Sequence, residues 1–304
     1  MHPRRPLLLA GLLSVAAACG ARTGLFVPTG DAGGGPLPPV HAAPVAPSQL
    51  SGCADAGSTV IYVVTEQDSL LSFDPPTATF TRIGTLACPG TIGAEPFSMA
   101  VDRAGVAYVL YQDAFGNNGG LFRVNTATAA CEATAFVPDR AFAQTFGMGF
   151  STNPADGGEE LYVAADQDAG SRLATLDTTT FALRVVGAFD PPITSPELTG
   201  TGGGDLFAFY ATGFMGSAGS AIAQINPSTA RSIGQSPLAS VHQNTNWAFA
   251  IWGGDFYTFT GTVPGVMGRT TVTRFRPSDG SIVTVAELPD TIVGAGVSTC
   301  APQP

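Results

Sequence analysis

The stretch FDPPTATF, residues 73–80, is typical of a tight turn between two strands, because Pro and Thr lie between an apolar strand end and an aromatic residue. Similar stretches recur about every fifty residues. They are VNTATAAC from Val124, LDTTTFAL from Leu176, INPSTARS from Ile225 and FRPSDGSI from Phe275. The stretch is therefore one copy of an internal repeat, and its five copies count the structural units of the chain.

Recurrent strand patterns accompany each copy. An apolar segment with an aromatic residue near its start precedes the turn: IYVV from Ile61, AYVL from Ala107, LYVA from Leu161, LFAF from Leu206 and FYTF from Phe256. A segment of small and apolar residues recurs before that one: SMAV from Ser98, GMGF from Gly147, ELTG from Glu197, WAFA from Trp247 and GAGV from Gly294. A further apolar strand follows the turn, as in TRIGTL from Thr81. No helical periodicity is sustained, so these segments are predicted to be strands. Each repeat then contains four of them: the small-residue strand, the aromatic strand, the strand that leads into the turn and the strand that follows it.

The order of these segments predicts how the ring closes. The first repeat lacks its small-residue strand, and the chain ends on a spare one. This arrangement resembles ring closure in β-propellers, and the units resemble propeller repeats of the YVTN, NHL and PQQ types, most closely in MAVDRAGVAYVL, residues 99–110. The resemblance implies an all-β fold, a five-bladed β-propeller of four-stranded antiparallel blades over residues 52–301, with the C-terminal strand entering the first blade and a tail at 302–304. It concerns the fold alone, since propellers have many functions.

Apart from Cys19, the chain contains four cysteines, an even number that favours disulfides in an exported protein. Ring closure of the propeller type brings Cys300 next to Cys53 and leaves Cys88 to pair with Cys131. Four cysteines allow three pairings, so the two other pairings remain alternatives.

The N-terminus has the pattern of a secretory signal peptide over residues 1–18. Arg4 and Arg5 precede an apolar run that is too short to span a bilayer. The end of the run, AAAC, resembles the lipobox of bacterial lipoproteins, which implies a lipid on Cys19, although Ala16 stands where Leu is most common. The alternative is ordinary cleavage after Ala18 and a soluble secreted product.

Residues 19–51 are rich in Gly, Pro and Ala, which predicts a flexible tether between the lipid and the propeller. Gly20 provides no Asp-type retention signal after Cys19, which by analogy indicates the outer membrane of a Gram-negative bacterium. The formal net charge is −10 and lysine is absent. This charge excludes a basic nucleic-acid surface and a polybasic membrane surface, so the membrane is contacted only through the lipid.

Acidic residues mark one face of the predicted propeller. In propellers, the loops between the second and third strands of each blade share a face with the connections between blades, and ligands usually bind there. The acids in these loops are Glu66, Asp68, Asp113, Asp166 and Asp168. They supply hard oxygen ligands for Ca²⁺, with Asp166 and Asp168 as the predicted metal ligands; no other cofactor is predicted. The alternative is that they are solvated turn residues.

The connections between blades add a polar and aromatic set on this face. Its members are Arg140, His242, Asn244, Asn246 and Trp247. Together with Glu66, Asp68 and Asp113 they form the predicted binding site for a protein or glycan. The alternative is that the Asn side chains bond their own loop and that Trp247 packs between blades.

Catalytic motifs are scarce. His242 is the only histidine of the predicted propeller, and the sequence contains no G-x-S-x-G motif. The sequence therefore favours a non-enzymatic binding or scaffold lipoprotein of the cell envelope. One alternative is a calcium-assisted, glycosidase-like enzyme that uses the acidic loops. Another is a structural surface protein without a small ligand.

Overall fold

A computed structural model describes residues 36–42, 53, 59–113, 115, 118–139, 142–143, 145–165, 170–213, 216–261 and 268–303. Its twenty strands form five antiparallel sheets of four. The first blade consists of β20 (Ile292–Gly296), β1 (Ile61–Thr65), β2 (Ser69–Asp74) and β3 (Thr79–Thr85). The second consists of β4 (Ala94–Val101), β5 (Val106–Asp113), β6 (Asn118–Asn125) and β7 (Cys131–Ala133).

The other three blades have the same order from the innermost to the outermost strand. The third contains β8 (Phe146–Thr152), β9 (Glu159–Ala165), β10 (Arg172–Leu176) and β11 (Leu183–Ala188). The fourth contains β12 (Glu197–Gly200), β13 (Leu206–Ala211), β14 (Ser220–Ile225) and β15 (Ser232–Leu238). The fifth contains β16 (Trp247–Trp252), β17 (Asp255–Gly261), β18 (Thr270–Arg276) and β19 (Ser281–Leu288). The predicted five-bladed β-propeller is confirmed.

The five small-residue segments are the innermost strands, and they pack against one another around the centre. Glycine is required at several of these contacts. A Cβ atom on Gly149 of β8 would lie 2.7 Å from the carbonyl carbon of Leu198 in β12, and one on Gly294 of β20 would lie 2.9 Å from the nitrogen of Met99 in β4. The centre therefore consists of backbone packed on backbone, with aromatic and branched residues in the layers between blades.

The repeated turns that mark the sequence share one backbone geometry. In each of the five repeated eight-residue stretches, the sixth residue has a positive φ. These residues are Ala78, Ala129, Phe181, Ala230 and Gly280. In four of the five turns this residue donates a backbone hydrogen bond of 2.8–2.9 Å to the carbonyl oxygen four positions earlier. The turn pattern therefore specifies a hydrogen-bonded turn, with one residue in the left-handed backbone conformation, between the two outer strands of each blade.

Ring closure joins the two ends of the propeller. β20 pairs with β1 in antiparallel register, with Val63 opposite Ala295. A disulfide joins Cys53 to Cys300, with a Cα–Cα distance of 5.4 Å, and a second joins Cys88 to Cys131 at 5.0 Å. Both disulfides are those predicted from the sequence.

A short segment ahead of the first strand packs on the fourth blade. The nitrogen of Gln235 in β15 donates to the carbonyl oxygen of Pro38 over 2.7 Å, and the nitrogen of Val40 donates to Ser236 Oγ over 3.2 Å. Val40 is fully buried against Phe207 and neighbouring core residues. These residues lie within the range 19–51 assigned to the tether, so the compact unit begins at Pro36. The segment packs there because the outermost strand β15 has unpaired backbone groups that bond it, and because Val40 fits among the apolar residues around Phe207. The predicted signal peptide lies outside the described residues.

The left-handed turns generate a first prediction. Gly280 has a φ of 73° and open space around its Cα, so a substitution there tests backbone conformation without a steric clash. Gly280→Ala is expected to lower the free energy of unfolding by about 1 kcal/mol, measured by urea denaturation. Gly280→Asn is the matched control, because Asn tolerates this conformation, and it should lose less despite its larger side chain. Equal losses for the two variants would contradict the role assigned to the turn.

The two disulfides are expected to differ in their effect on stability. They close chain segments with sequence separations of 247 and 43 residues. In the chain-entropy treatment, removing the first costs about 5 kcal/mol and removing the second about 4 kcal/mol. The measurement compares the double variants Cys53→Ser with Cys300→Ser and Cys88→Ser with Cys131→Ser in equilibrium unfolding. A larger loss from the Cys88–Cys131 pair would show that ring closure does not depend on the terminal disulfide.

Candidate functional site

The two faces of the propeller differ in what they carry. We define the upper face as the one with the loops between the second and third strands of each blade and the connections between blades, and the lower face as the one with the left-handed turns. The upper face is the one on which the sequence predicts ligand binding. Its inner strands begin there, so the first residues of β4, β12, β16 and β20 surround the upper end of the central channel.

A cavity of about 80 Å³ lies at this end of the channel. Four of the five blades contribute to its wall. Its lining residues are Glu95, Pro96, Phe97 and Gln112 from the second blade, Glu197 from the fourth, Thr245, Asn246 and Trp247 from the fifth, and Val293 from the first. We call this the upper cavity. It combines two carboxylates, two amides and two aromatic residues, which is a mixture suited to recognition.

The channel below the upper cavity is filled. Residues such as Val101, Phe150 and Leu198 line this part of the channel and leave no space for a water molecule. The lower end is held by polar contacts around Arg103 and Glu159. The backbone nitrogen of Arg103 donates to Glu159 Oε2 over 2.7 Å, and Thr299 Oγ1 also donates to this carboxylate. Burial raises the pKa of Glu159 despite these contacts. The upper cavity is therefore a blind pocket and not part of an open pore.

Glu197 is the first residue of β12, and it is buried with only 5% of its surface exposed. Its Oε2 accepts a hydrogen bond of 2.9 Å from Ser98 Oγ, which lies on β4 of the second blade. A buried carboxylate is stable only when other groups satisfy it, and Ser98 is one such group. This contact fixes one carboxylate in the wall of the upper cavity.

Glu95 and Gln112 occupy the opposite, more exposed part of the wall. They are direct partners in the register of β4 and β5, and Gln112 Nε2 donates to Glu95 Oε1 over 2.9 Å. Phe97 follows at a β-bulge, where the register of these strands shifts between Pro96 and Ser98. A bulge redirects a side chain relative to the regular pleat, and Phe97 here lines the cavity while packing on the core.

The structure places the predicted binding residues as follows. Asn246 and Trp247 line the upper cavity. His242 and Asn244 are exposed on the same connection. Asn244 has a φ of 51°, and its Nδ2 donates to the carbonyl oxygen of Gly261, the last residue of β17, over 2.7 Å. Arg140 lies outside the described residues. Whether any of these residues binds a ligand stays a prediction.

The described acidic loop residues Glu66, Asp68 and Asp113 occupy the upper face but do not line the upper cavity. Asp68 accepts a 2.7 Å hydrogen bond from Tyr111 Oη of the next blade, so it contributes to blade packing. Burial and this bond raise the pKa of Tyr111. Glu66 accepts from Gln67, and Asp113 accepts from the nitrogen of Phe115. Among the described residues, no three carboxylate, His or Cys groups gather around a metal position. Asp166 and Asp168 lie outside them, so calcium binding stays a prediction.

Sequence reasoning predicted only Asn246 and Trp247 of the upper cavity and missed its seven other lining residues, which are Glu95, Pro96, Phe97, Gln112, Glu197, Thr245 and Val293. The available signal is repeat position, because Glu95 and Phe97 directly precede SMAV as Thr245 and Asn246 directly precede WAFA. Aligning the residues just before each small-residue segment would have placed Glu95 and Phe97 at the channel mouth, but not Gln112, which lies near the end of β5. The bulge that redirects Phe97 has no such signal.

Three large apolar side chains are strongly exposed on upper loops before and after strands of the second blade. Ile92 is fully exposed, Phe115 is 88% exposed and Val137 is 78% exposed. The next most exposed, Val185 and Ile233, reach 47% and lie on outer strands. All three belong to the loops that precede or follow strands of the second blade. We call them the apolar tip of the second blade.

Two larger grooves open on the lower face. One of about 530 Å³ lies at the third blade, and its Asp177 accepts hydrogen bonds from the nitrogens of Thr179 and Thr180 within the turn. The other, of about 510 Å³, lies at the fifth blade, where Asp255 pairs with Arg276 at 2.8 Å. These carboxylates serve the turns and strands that carry them, so the upper cavity is the stronger candidate for a binding site.

Within the described ranges, no helix has the length and apolar character needed to cross a bilayer. No protein family model matches the chain, and no curated protein matches its sequence. Among solved structures, a chain of the nidogen/laminin complex is 10% identical with a TM-score of 0.47, and the match covers 80% of this chain and 99% of that chain. TolB from Acinetobacter baumannii is 14% identical with a TM-score of 0.43, over 77% of this chain and 54% of that chain.

Proposed function

We propose that the protein is a non-enzymatic binding module of the cell envelope, whose propeller holds a protein partner on its upper face. The β-propeller fold fits a binding or scaffold role, because loops on a rigid framework present side chains without changing the core. The proposal adds the face, the class of partner and the location. Its basis is the apolar tip of the second blade together with the upper cavity.

The observation that carries the proposal is the position of the apolar tip. Ala94 of β4 pairs with Asp113 of β5, so Ile92 and Phe115 extend from the same end of one strand pair. Single exposed apolar residues are common on protein surfaces. Among the described residues, however, the three most exposed large apolar side chains lie on upper loops that precede or follow strands of the second blade, and Ile92 and Phe115 lie within three residues of the cavity residues Glu95 and Gln112. Exposed apolar groups that occur together are typical of a surface covered by another protein.

The size of the upper cavity favours a protein over a free small ligand. Sites for small molecules usually enclose about 300–1,000 Å³, and the upper cavity has about 80 Å³. This space suits one side chain of a partner whose remaining surface lies on the loops. A glycan would gain little from Ile92, Phe115 and Val137, because these side chains offer no hydrogen bonds. A protein partner is therefore favoured over a glycan.

The proposed location rests on the N-terminal sequence. A signal peptide over residues 1–18 and a lipid on Cys19 would anchor the chain in the envelope, with the outer membrane as the proposed membrane. The tether up to Gly35 would then separate the lipid from the packed segment that begins at Pro36. These N-terminal residues lie outside the described part of the chain. The calcium-assisted glycosidase also stays an untested alternative.

Site-specific crosslinking tests the protein partner. A photoreactive amino acid at Ile92 or Phe115 is expected to yield a discrete crosslinked species in cells that express the full chain. The same amino acid at Ser228, an exposed residue of a lower-face turn, should yield none. In chains that carry the photoreactive group at Phe115, Ile92→Asp should remove the species.

The matched control is Val185→Asp, which adds the same charge at a half-exposed apolar residue on an outer strand. It should leave the crosslinked species unchanged. The proposal fails if Ser228 gives the same species or if Ile92→Asp and Val185→Asp act alike.

Metabolic labelling tests the anchor. With an alkyne analogue of palmitate, the wild-type chain should take up label and sediment with membranes. Cys19→Ser should lose both properties, because the lipid carries the membrane affinity. Label that persists in Cys19→Ser would exclude lipidation at this residue.

A further inference from the structure

We infer that the upper cavity receives the guanidinium group of an arginine side chain from the protein partner. The inference rests on the proposed function, since it assigns the chemistry of the partner residue that enters this cavity. It depends on three features of the wall: two carboxylates from different blades, two aromatic residues, and polar contacts that hold these groups in place.

The carboxylates provide the charge that the cavity recognises. Glu197 is buried on one blade and Glu95 lies at the more exposed edge on another. A cation between them would receive charge-assisted hydrogen bonds from two directions, and such bonds are about twice as strong as neutral ones. The side-chain oxygens of Thr245 and Asn246 add neutral acceptors. An anionic side chain would be repelled by the carboxylates, and a neutral donor would form only the weaker hydrogen bonds that lack charge assistance.

The aromatic residues distinguish guanidinium from a simple positive charge. Phe97 and Trp247 are half-buried and line the same cavity. A guanidinium group is planar, is weakly hydrated, and packs on aromatic faces while it donates five hydrogen bonds within its plane. An ammonium group is more strongly hydrated and gains less from such a wall. The combination of aromatic walls and acceptors around them therefore favours arginine.

The wall is held in shape without a ligand. Ser98 bonds Glu197 and Gln112 bonds Glu95, each over 2.9 Å. The carbonyl oxygen of Asn246 accepts from the nitrogen of Gly261 over 2.8 Å, which fixes the connection that carries Trp247. Since these groups need little rearrangement, a guanidinium group would bind without a large ordering cost. The net charge of −10 would also attract a basic partner at low salt.

The test uses N-acetyl-arginine methylamide as the probe and N-acetyl-citrulline methylamide as its neutral isostere. The chain contains two tryptophans, Trp247 and Trp252, so Trp252→Phe leaves Trp247 as a fluorescent reporter at the cavity. We expect the arginine probe to change this fluorescence with a Kd in the millimolar range, as befits one side chain without its protein. The citrulline probe should bind at least about tenfold more weakly. Ligand-observed NMR on the unmodified chain repeats the comparison without any substitution.

A charge variant shows whether the effect is local. Glu95→Gln is expected to weaken binding of the arginine probe about tenfold, because it removes one of two carboxylates. The matched control is Glu132→Gln, which removes the same charge from an exposed position on an outer strand of the same blade. It should change the Kd less than about twofold, since exposed charges at a distance are screened by salt.

The inference is overturned if the citrulline probe binds as well as the arginine probe, if neither binds, or if Glu132→Gln weakens binding as much as Glu95→Gln. These results leave the crosslinking test of the apolar tip untouched. Conversely, binding of the arginine probe without any crosslinked species would reject the protein partner while keeping the cavity's preference. The two proposals can therefore fail separately.

Discussion

The propeller depends on direct backbone contact between its inner strands. A Cβ atom on Gly147 would lie 2.2 Å from the carbonyl oxygen of Pro196, and one on Gly200 would lie 2.5 Å from that of Phe150. Gly296 is limited in the same way by Val101. Distances this short leave no room for any side chain, so glycine sets how closely neighbouring blades approach. The close packing of the inner strands also fills the channel below the upper cavity and so forms the floor of that cavity. A constraint of the core thus determines the depth of the candidate binding site.

The sequence predicts the framework because the framework repeats. Each turn pattern identifies the end of the third strand, and the spare strand GAGV identifies the partner of β1, so the ring order and both disulfides follow from position in the repeat. The positive φ at Ala78 and at the equivalent residues also follows a common pattern, although only Gly280 shows it by residue type. Repeated sequence patterns predict where the strands and turns lie, because the alternation of side chains between the two faces extends along a whole strand.

The upper cavity could be predicted only in part, because it depends on departures from the repeat. Trp247 and Asn246 stand out by residue type, and Glu197 by its place at the start of an inner strand. Phe97 enters the cavity through a bulge, and Glu95 meets Glu197 only because two blades converge. Asp68 shows the opposite case: its loop resembled a ligand site, yet a tyrosine of the next blade uses its carboxylate. Contacts between blades decide such roles, and no single repeat contains them.

The two faces of the molecule are constrained differently, and this difference supports the assignment of binding to the upper face. The lower turns keep one geometry because each must join the same two strands in the same way. On the upper face, three residues, 66–68, separate β1 from β2, whereas eight, 212–219, separate β13 from β14. Lengthening a surface loop costs little stability, so the upper loops can change length and composition while the glycine contacts keep the blades in place. The apolar side chains of Ile92, Phe115 and Val137 stabilise no core that would explain them. They lie on the face where variation is tolerated, the same face that carries a cavity whose charged groups are already held by hydrogen bonds, and this is where a partner would be selected.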